Sequence, residues 1–307
     1  MDGSSISEMS SILAMQGFAG ISLFSVLLLM ALGLAIIFGQ MGVINMAHGE
    51  FMAVGAYTTY LCSHLIVTYV PGFQSYYFFF AVAAAFGVAF GIGYLVELGL
   101  IRFLYKRPLD TLLATWGLSL IMQQILRSTF GAREVSPTLP EWLLGSMHLT
   151  ETIEIPINGL MVMGLTVFVT LGVFLLLHRS RWGLRVRATV QNRAMSGAVG
   201  INTDRVDRVT FALGCGIAGI AGAAFTTIAS TGPTSGSQYI VDTFLVVVFG
   251  GAGSLLGTVA SAFAIGETQS ILEFFLNGSM AKVITLLAIV GILMMRPEGL
   301  VVSKVRR

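Results

Sequence analysis

The chain has 307 residues, of which 55% are hydrophobic and only 10% are charged, and its mean hydropathy is +0.86. Soluble domains carry about 25% charged residues, so this chain has too few charges for a surface in contact with water. The formal net charge is only +2 and the basic residues lie in short loops, which argues against a nucleic-acid-binding protein. Repeated apolar runs of about 20 residues therefore predict an integral membrane protein.

Nine apolar runs are candidate membrane crossings, and they predict an all-α polytopic bundle of about eight to nine transmembrane helices. We expect a single transmembrane domain over residues 1–307. The run at 240–249 is short and is followed by the glycine-rich residues 250–253, so a broken half-helix is expected there. The runs are 18–38, 51–70, 77–101, 111–130, 160–177, 209–230, 240–249, 256–276 and 283–295.

Charge bias orients the predicted bundle. Fourteen of the 17 basic residues lie in the loop at 102–107, in the loop at 179–208 and in the tail from 296 onward. Cytoplasmic loops are enriched in Lys and Arg, so these segments and the C-terminus are expected on the cytoplasmic side. The loop at 131–157 holds four Glu against one Arg and is expected outside, together with the N-terminus.

Polar residues interrupt the apolar sequence directly after the first run, at Gln40, Asn45, His48 and Glu50. An ionisable side chain at bilayer depth costs about 3 kcal/mol or more, so these side chains are expected to face protein or a water-filled path. Two interpretations stay open. The segment is either a solvated cytoplasmic turn between two spans or a helix break beside a translocation path, in which the polar groups satisfy freed backbone groups and each other.

Further acidic residues lie in or near the predicted spans. Glu267 sits near the middle of its run, so we expect it to face the pathway or to bond to a neighbouring helix. Glu97 lies five residues before Arg102, and Glu273 lies near the outer end of its run. Both are expected to reach the membrane interface.

The basic loop at 179–208 contains a helical pattern. Val186, Val190, Ala194 and Ala198 recur every four residues, which predicts one short amphipathic helix, and Gly200 is well placed to end it. Small exposed residues on such a helix suit insertion into a groove of a partner protein. The alternative is a basic loop that only fixes the topology.

Several catalytic motifs are absent from the sequence. There is no Gly-Lys dipeptide of a phosphate-binding loop and no His-Glu-x-x-His zinc helix, so the chain is predicted to be neither an ATPase nor another enzyme. An intramembrane enzyme acting through His48 and Glu50 lacks identifiable partners within hydrogen-bond reach. No cofactor or metal site is predicted.

Two stretches, GLAIIFG at 33–39 and VINMAHGE at 43–50, resemble the signature of the branched-chain amino acid type of ABC importer permease. The basic loop is similar to a degenerate form of the motif by which such permeases engage their ATPases, although it lacks the leading glutamate. The resemblance implies that 179–208 is a cytoplasmic coupling loop, on the side opposite to the outer loop at 131–157 that the charge bias predicts. The implied coupling residues are Arg193, Ala194, Met195, Ser196 and Gly200.

Within that family, LATWG at 113–117, QNRAM at 191–195 and YIVDTFLVVV at 239–248 are similar to the urea-transporting permease subunit. The implied function is import of urea or short amides, for which Asn45, Gln123 and Gln124 would supply neutral donors and acceptors. Branched-chain amino acid import is the alternative, and a self-sufficient channel or ion-coupled transporter is an alternative of another class.

The resemblance also implies a complex in the bacterial inner membrane. Its other members would be a second homologous permease subunit, two ATP-binding cassette subunits and an extracytoplasmic solute-binding protein, with membrane lipid around them.

Overall fold

The computed structural model describes residues 3–105, 107–150, 153–251, 253–296 and 299–301. Helices make up almost all of the described structure, with one small β-hairpin. The elements are α1 Gly3–Met41, α2 His48–Tyr69, α3 Tyr77–Gly99, α4 Pro108–Phe130, β1 Ser146–Thr150, β2 Ile153–Pro156, α5 Ile157–Arg179, α6 Arg181–Gln191, α7 Arg193–Ala198, α8 Thr203–Phe225, α9 Ser235–Gly250, α10 Leu255–Phe275 and α11 Gly278–Met295.

Seven of the described helices are long and apolar enough to cross a membrane, which confirms the predicted all-α polytopic fold. They are α1 from Ala14 onward, α2, α3, α5, α8, α10 and α11. The other two predicted crossings correspond to α4 and α9. Helix α4 has 23 residues but is less apolar, because it carries Asp110, Gln123, Gln124 and Arg127. Helix α9 has 16 residues, about 24 Å of helix against a hydrocarbon core of about 30 Å.

The bundle has two ends that differ in charge. We call the end with the connections at 100–107 and 180–202 the basic end, and the opposite end, with β1 and β2, the hairpin end. Strands β1 and β2 pair in antiparallel register, with Ser146 opposite Pro156. Residues 151–152, between the two strands in sequence, lie outside the described residues. Val135 forms a bridge with Thr231, which joins two connections at this end.

Helix α8 lies at the centre of the bundle against α1, α2 and α3. Glycines bring these backbones together. A Cβ atom on Gly222 would lie 1.9 Å from the Met52 carbonyl oxygen, and one on Gly55 would lie 2.1 Å from the Gly219 carbonyl oxygen. Small residues at helix contacts allow such close approach within a bilayer. The glycines in α8 therefore position the helices that carry the polar groups described below.

The glycine-rich residues after α9 break the helix, as predicted. Gly251 and Gly253 have φ angles of +94° and +86°, which favour glycine, and Ala252 lies outside the described residues. The break packs against the end of α1, where a Cβ atom on Gly39 would lie 2.7 Å from the Gly253 Cα atom. Helix α10 then starts at Leu255 with the Ser254 side chain as its N-cap.

Candidate functional site

The polar segment between α1 and α2 folds back along α1 instead of ending at the surface. The His48 Nε2 atom contacts the Met30 carbonyl oxygen at 3.1 Å, and α1 continues to Met41, about 16 Å of helix past Met30. On the other side, the Met46 N–H donates to Thr115 Oγ1 at 3.1 Å. Helix α4 begins at Pro108, about 10 Å of helix before Thr115. The start of α2 is therefore recessed from the basic end.

Asn45 and His48 are fully buried in this recess. The Asn45 Oδ1 atom accepts a hydrogen bond from the Ala47 N–H at 3.1 Å, so Asn45 satisfies a backbone group that the break frees. Among the described residues, Asn45 Nδ2 and His48 Nδ1 have no hydrogen-bond partner. Because both side chains are inaccessible to water, they do not fit the interpretation of this segment as a solvated turn.

Glu50 bonds across to α4 with neutral groups only. Its Oε1 atom accepts hydrogen bonds from Gln123 Nε2 at 2.8 Å and from Ser119 Oγ at 3.1 Å. Glu50 is 1% exposed, and within the described chain its Oε2 atom has no hydrogen-bond partner and no Lys or Arg lies within ion-pair distance. Because an uncompensated buried carboxylate is costly, this oxygen is suited to a donor group that comes from outside the chain.

The structure brings Asn45, His48 and Glu50 together, and the His48 N–H donates to the Asn45 carbonyl oxygen at 3.2 Å. No hydrogen bond joins their side chains in the described residues, so the expectation that these polar side chains satisfy each other is wrong. Gln40 lies apart from them, where it lines a cavity at the basic end. Glu267 lies on α10 against Gly20, about 15 Å along α1 from Met30. The five predicted pathway residues are thus spread along α1.

The coupling loop forms two helices, so the expectation of a single amphipathic helix is wrong. Helix α6 ends at Gln191, and Asn192 is extended, with φ −154° and ψ 98°. The Asn192 side chain accepts a hydrogen bond from the Met195 N–H and caps α7, which stops α6 from continuing. Gly200, with φ +87°, follows α7, and Asn202 caps α8. Of the predicted coupling residues, only Ser196 is buried.

Arg193, the first residue of α7, joins the loop to α8. Its guanidinium donates to Asp204 Oδ1 at 3.1 Å and to Asp207 Oδ2, and lies 5.7 Å from the centre of the Tyr105 ring. Burial of Arg193 lowers the pKa of its guanidinium, but the hydrogen bond and the charges of Asp207 and Asp204 outweigh it and raise the pKa. Arg193 therefore stays charged at any physiological pH.

The contacts continue from Tyr105 into the membrane helices. Tyr105 Oη donates to Glu97 Oε1 at 2.5 Å, and Arg208 Nε donates to Glu97 Oε2 at 3.0 Å. Burial, together with the bond to Glu97, raises the pKa of the Tyr105 phenol well above its ordinary value, so the phenol remains a donor. We call Arg193, Asp207, Tyr105, Glu97 and Arg208 the charge network.

Glu97 is 1% exposed, so its side chain does not extend outward from α3 as expected but is buried within the protein. Its partner is Arg208, 111 residues away, and not the nearby Arg102. Glu273, by contrast, is exposed near the end of α10, as expected. The charge network borders a cavity of about 710 Å³ at the basic end, which Gln40 and Met41 also line.

A second polar cavity, of about 390 Å³, lies between α1, α9, α10 and α11 toward the hairpin end. Lys282 on α11 forms an ion pair with Asp242 on α9 at 2.7 Å, and its ammonium lies 5.6 Å from the centre of the Tyr239 ring. An adjoining apolar cavity of about 360 Å³ shares three lining residues with it, which are Ala19, Leu23 and Tyr239.

The roles of Tyr105, Asp207, Arg208 and Lys282 were not predicted from the sequence, because each side chain pairs with a residue on another element. For Asp207, Arg208 and Lys282, the available signal was a charged residue in or beside an apolar run. In the described part of the chain, no group of three or more His, Cys, Asp and Glu residues could hold a metal ion.

Comparison with known protein families matches residues 17–293 to the family described as branched-chain amino acid transport system, permease component. The chain is 26% identical over 303 residues to the high-affinity branched-chain amino acid transport system permease protein LivH of Escherichia coli K12, covering 93% of this chain and 94% of LivH. It is 24% identical over 294 residues to BraD of Pseudomonas aeruginosa, a protein of the same description, covering 92% and 93%.

A shorter similarity links the chain to the ribose import permease protein RbsC of Escherichia coli K12, with 26% identity over 196 residues, 61% of this chain and 58% of RbsC. No solved structure matches the chain at a comparable level of significance. These relatives are named for branched-chain amino acids or ribose, so the predicted urea specificity finds no support among them.

The relatives are permease proteins and not enzymes, which confirms that the chain is a transport subunit. Permeases of this kind work with ATPase and solute-binding partners in a bacterial inner membrane, and the apolar helices agree with a multi-pass protein there. Because the family match extends over residues 17–293 of the 307, the chain belongs to the permease family of branched-chain amino acid ABC transport systems.

Proposed function

We propose that the chain is the permease subunit of an ATP-driven importer of branched-chain amino acids. The similarity to LivH and BraD supports this substrate, because it extends over more than nine-tenths of the chain. Urea, the first expectation from the sequence, becomes the second candidate.

The two adjoining cavities toward the hairpin end are the observation that carries this choice of substrate. The polar cavity holds a cation and an anion side by side, at Lys282 and Asp242, and the neighbouring cavity is apolar. A branched-chain amino acid has an ammonium and a carboxylate at one end and an apolar side chain at the other. Sites with a few polar groups beside an apolar surface suit such a solute.

We further propose that the solute moves along α1. Glu267 lies beside Gly20 toward the hairpin end, the group of Asn45, His48 and Glu50 lies near Met30, and Gln40 lies near the basic end. Unpartnered polar atoms on Asn45, His48 and Glu50 would bond to the solute as it passes. Intramembrane ionisable residues commonly line such routes.

The basic end is proposed to be cytoplasmic, which puts the N-terminus outside and the C-terminus inside, because Arg residues concentrate there. Helix α7 would then meet an ATPase, through the exposed residues Ala194 and Met195, with Arg193, Ser196 and Gly200 fixing its position. The complete importer would contain a second permease subunit, two ATPases and a solute-binding protein.

Urea import is favoured by the neutral groups around Glu50. Gln123 and Ser119 on α4, and Asn45 in the recess before α2, offer amide and hydroxyl groups, which pair with a small amide. The test is uptake of labelled leucine and labelled urea by cells with and without this chain, in competition with one another. ATP-dependent leucine uptake that needs the chain supports the main proposal, and uptake of urea alone supports the second.

A second assay, with purified protein, separates an importer from a self-sufficient channel or an ion-coupled transporter. The purified chain is placed in liposomes with and without its ATPases, and flux is measured with a proton or sodium gradient. Flux through the chain alone would contradict the ABC permease, and flux that appears only with the ATPases and ATP supports it.

A further inference from the structure

The Tyr105 side chain touches both the coupling loop and the membrane helices. Its ring lies 5.7 Å from the guanidinium carbon of Arg193, the first residue of α7. Its hydroxyl donates to Glu97 on α3 at 2.5 Å. Tyr105 itself lies in the short connection between α3 and α4, so it belongs to neither of the elements that it joins.

Each end of this contact is held firmly. Arg193 is fixed by two carboxylates of α8, Asp204 and Asp207, in a charge-assisted arrangement. Glu97 uses both of its oxygen atoms, one for Tyr105 and one for Arg208. The Glu97 carboxylate therefore cannot turn without losing one of these bonds, and a shift of Arg193 presses on the Tyr105 ring.

A cavity beside the charge network offers space for such a shift. The cavity of about 710 Å³ lies beside Arg193, Tyr105 and Glu97 and reaches Gln40 and Met41 at the end of α1. On the opposite side, α3 and α8 are closely packed, since a Cβ atom on Gly93 would lie 2.7 Å from the Cys215 Cβ atom. A movement of α7 would be absorbed by the cavity unless a rigid side chain passes it on to α3.

We propose that Tyr105 is the positioning residue that transmits movement of α7 to the contact between α3 and α8, through its hydroxyl bond to Glu97. This inference rests on the proposed function, in which an ATPase acts on α7. Tyr105 does not touch the solute in this scheme. It couples the movement of α7 to that of α3 and α8. Removal of the Tyr105 hydroxyl should leave ATP hydrolysis intact but lower the number of solute molecules transported per ATP.

The test uses the complete complex in proteoliposomes and measures solute molecules transported per ATP hydrolysed, with leucine and urea as the two solutes. The variant Tyr105→Phe keeps the ring on Arg193 and loses only the bond to Glu97. We expect the transport ratio to fall about tenfold, the effect of one lost hydrogen bond, while the rate of ATP hydrolysis changes little.

The matched control is Tyr94→Phe. The Tyr94 hydroxyl accepts a hydrogen bond from Arg208 Nη1 at 3.3 Å, on the same helix pair but without contact to α7. This variant loses one hydroxyl from the same region and should keep the transport ratio of the unchanged complex. Melting temperatures of both variants establish that the comparison concerns folded protein.

A Tyr105→Phe complex with an unchanged ratio, or an equal loss in Tyr94→Phe, would overturn the proposal. If Tyr105→Phe fails to fold, Arg193→Lys serves in its place, because it keeps the charge but cannot bridge both aspartates, and the same fall in ratio is expected. If the complex without substitutions shows no ATP-dependent uptake of either solute, the proposed function itself is overturned. If that complex and the Tyr105→Phe complex transport the same number of solute molecules per ATP, only the role of Tyr105 is overturned.

Discussion

Arg208 on α8 donates its Nε–H to the Glu97 carboxylate on α3 at 3.0 Å, inside the most extensive helix contact of the described chain. Glu97 is 1% exposed and the Arg208 side chain is 19% exposed. An isolated charge is strongly disfavoured in a buried environment, so each of these two charged groups offsets the cost of burying the other. The pair therefore ties α3 to α8 and also supplies the acceptor for Tyr105.

We expect Arg208→Met to destabilise the protein strongly. The substitution leaves the Glu97 carboxylate buried without a cation, which typically costs about 3–5 kcal/mol in the free energy of unfolding. The measurement is thermal unfolding of the purified chain in detergent. The control is Asp110→Asn, since the Arg107–Asp110 pair is exposed at both partners and such pairs contribute about 0–1 kcal/mol. Similar losses for both variants would contradict a buried structural pair.

A second prediction concerns the close approach of α2 and α8. Gly222→Ala would place a Cβ atom 1.9 Å from the Met52 carbonyl oxygen, so the two backbones must separate. Overpacking of this kind typically costs about 1–3 kcal/mol, and here the obstacle is backbone rather than a flexible side chain. The yield of monodisperse protein and its melting temperature should both fall.

Gly87→Ala on α3 is the matched control, because nothing lies within 4 Å of a Cβ atom there. In a helix interior, alanine is favoured over glycine by about 1 kcal/mol, so this variant should be as stable as the unchanged protein or more stable. Destabilisation of both variants to the same extent would show that the α2–α8 contact is looser than described.

The apolar runs predicted the helices well because length and apolarity are local properties of the sequence. The break at Gly251 and Gly253 and the end of the helical structure just before Gly200 were also predictable, since glycine favours a positive φ. The break at Asn192 was not, because the spacing of Val186, Val190 and Ala194 fits one continuous helix. Only the bond from the Met195 N–H to the Asn192 side chain shows which of the two local structures prevails.

The pairing of residues far apart in the chain could not be predicted from the sequence. Glu97 lies five positions from Arg102, and this nearness suggested a shared interface, yet its partner is 111 residues away. Glu50 and Gln123 are 73 residues apart. Helical spacing identifies the face on which a side chain lies but not the helix that packs against that face. The charge network therefore required the structure.

A third prediction concerns Glu50. We expect Glu50→Gln to fold normally, because a neutral amide of the same shape removes a buried charge that has no cation nearby in the described chain. Uptake should nevertheless fall about tenfold or more, because the Oε2 atom no longer offers a carboxylate to the N–H groups of the solute. Labelled-solute uptake and melting temperature are measured together.

The control for Glu50 is Gln124→Leu on α4. The sequence grouped Gln124 with Gln123, but the Gln124 side chain is exposed and, among the described residues, it hydrogen-bonds to Ser128 in its own helix and not to the group around Glu50. Uptake should therefore be unaffected. Unchanged uptake in Glu50→Gln would remove Glu50 from the proposed route. A loss of melting temperature without a change in transport per folded molecule would assign Glu50 to packing alone.

The last prediction addresses the surface of α7. Met195 is 61% exposed and Val199 just after the helix is 69% exposed, so apolar side chains face outward from a short helix at the basic end. If an ATPase covers this surface, Met195→Asp introduces a charge into an apolar contact, and the ATPases should no longer copurify with the chain. Copurification and melting temperature are measured on the same preparation.

Leu184→Asp on α6, equally exposed at 62%, is the matched control and should retain the ATPases. Retention of the ATPases by Met195→Asp, or equal loss from both variants, would contradict docking through α7.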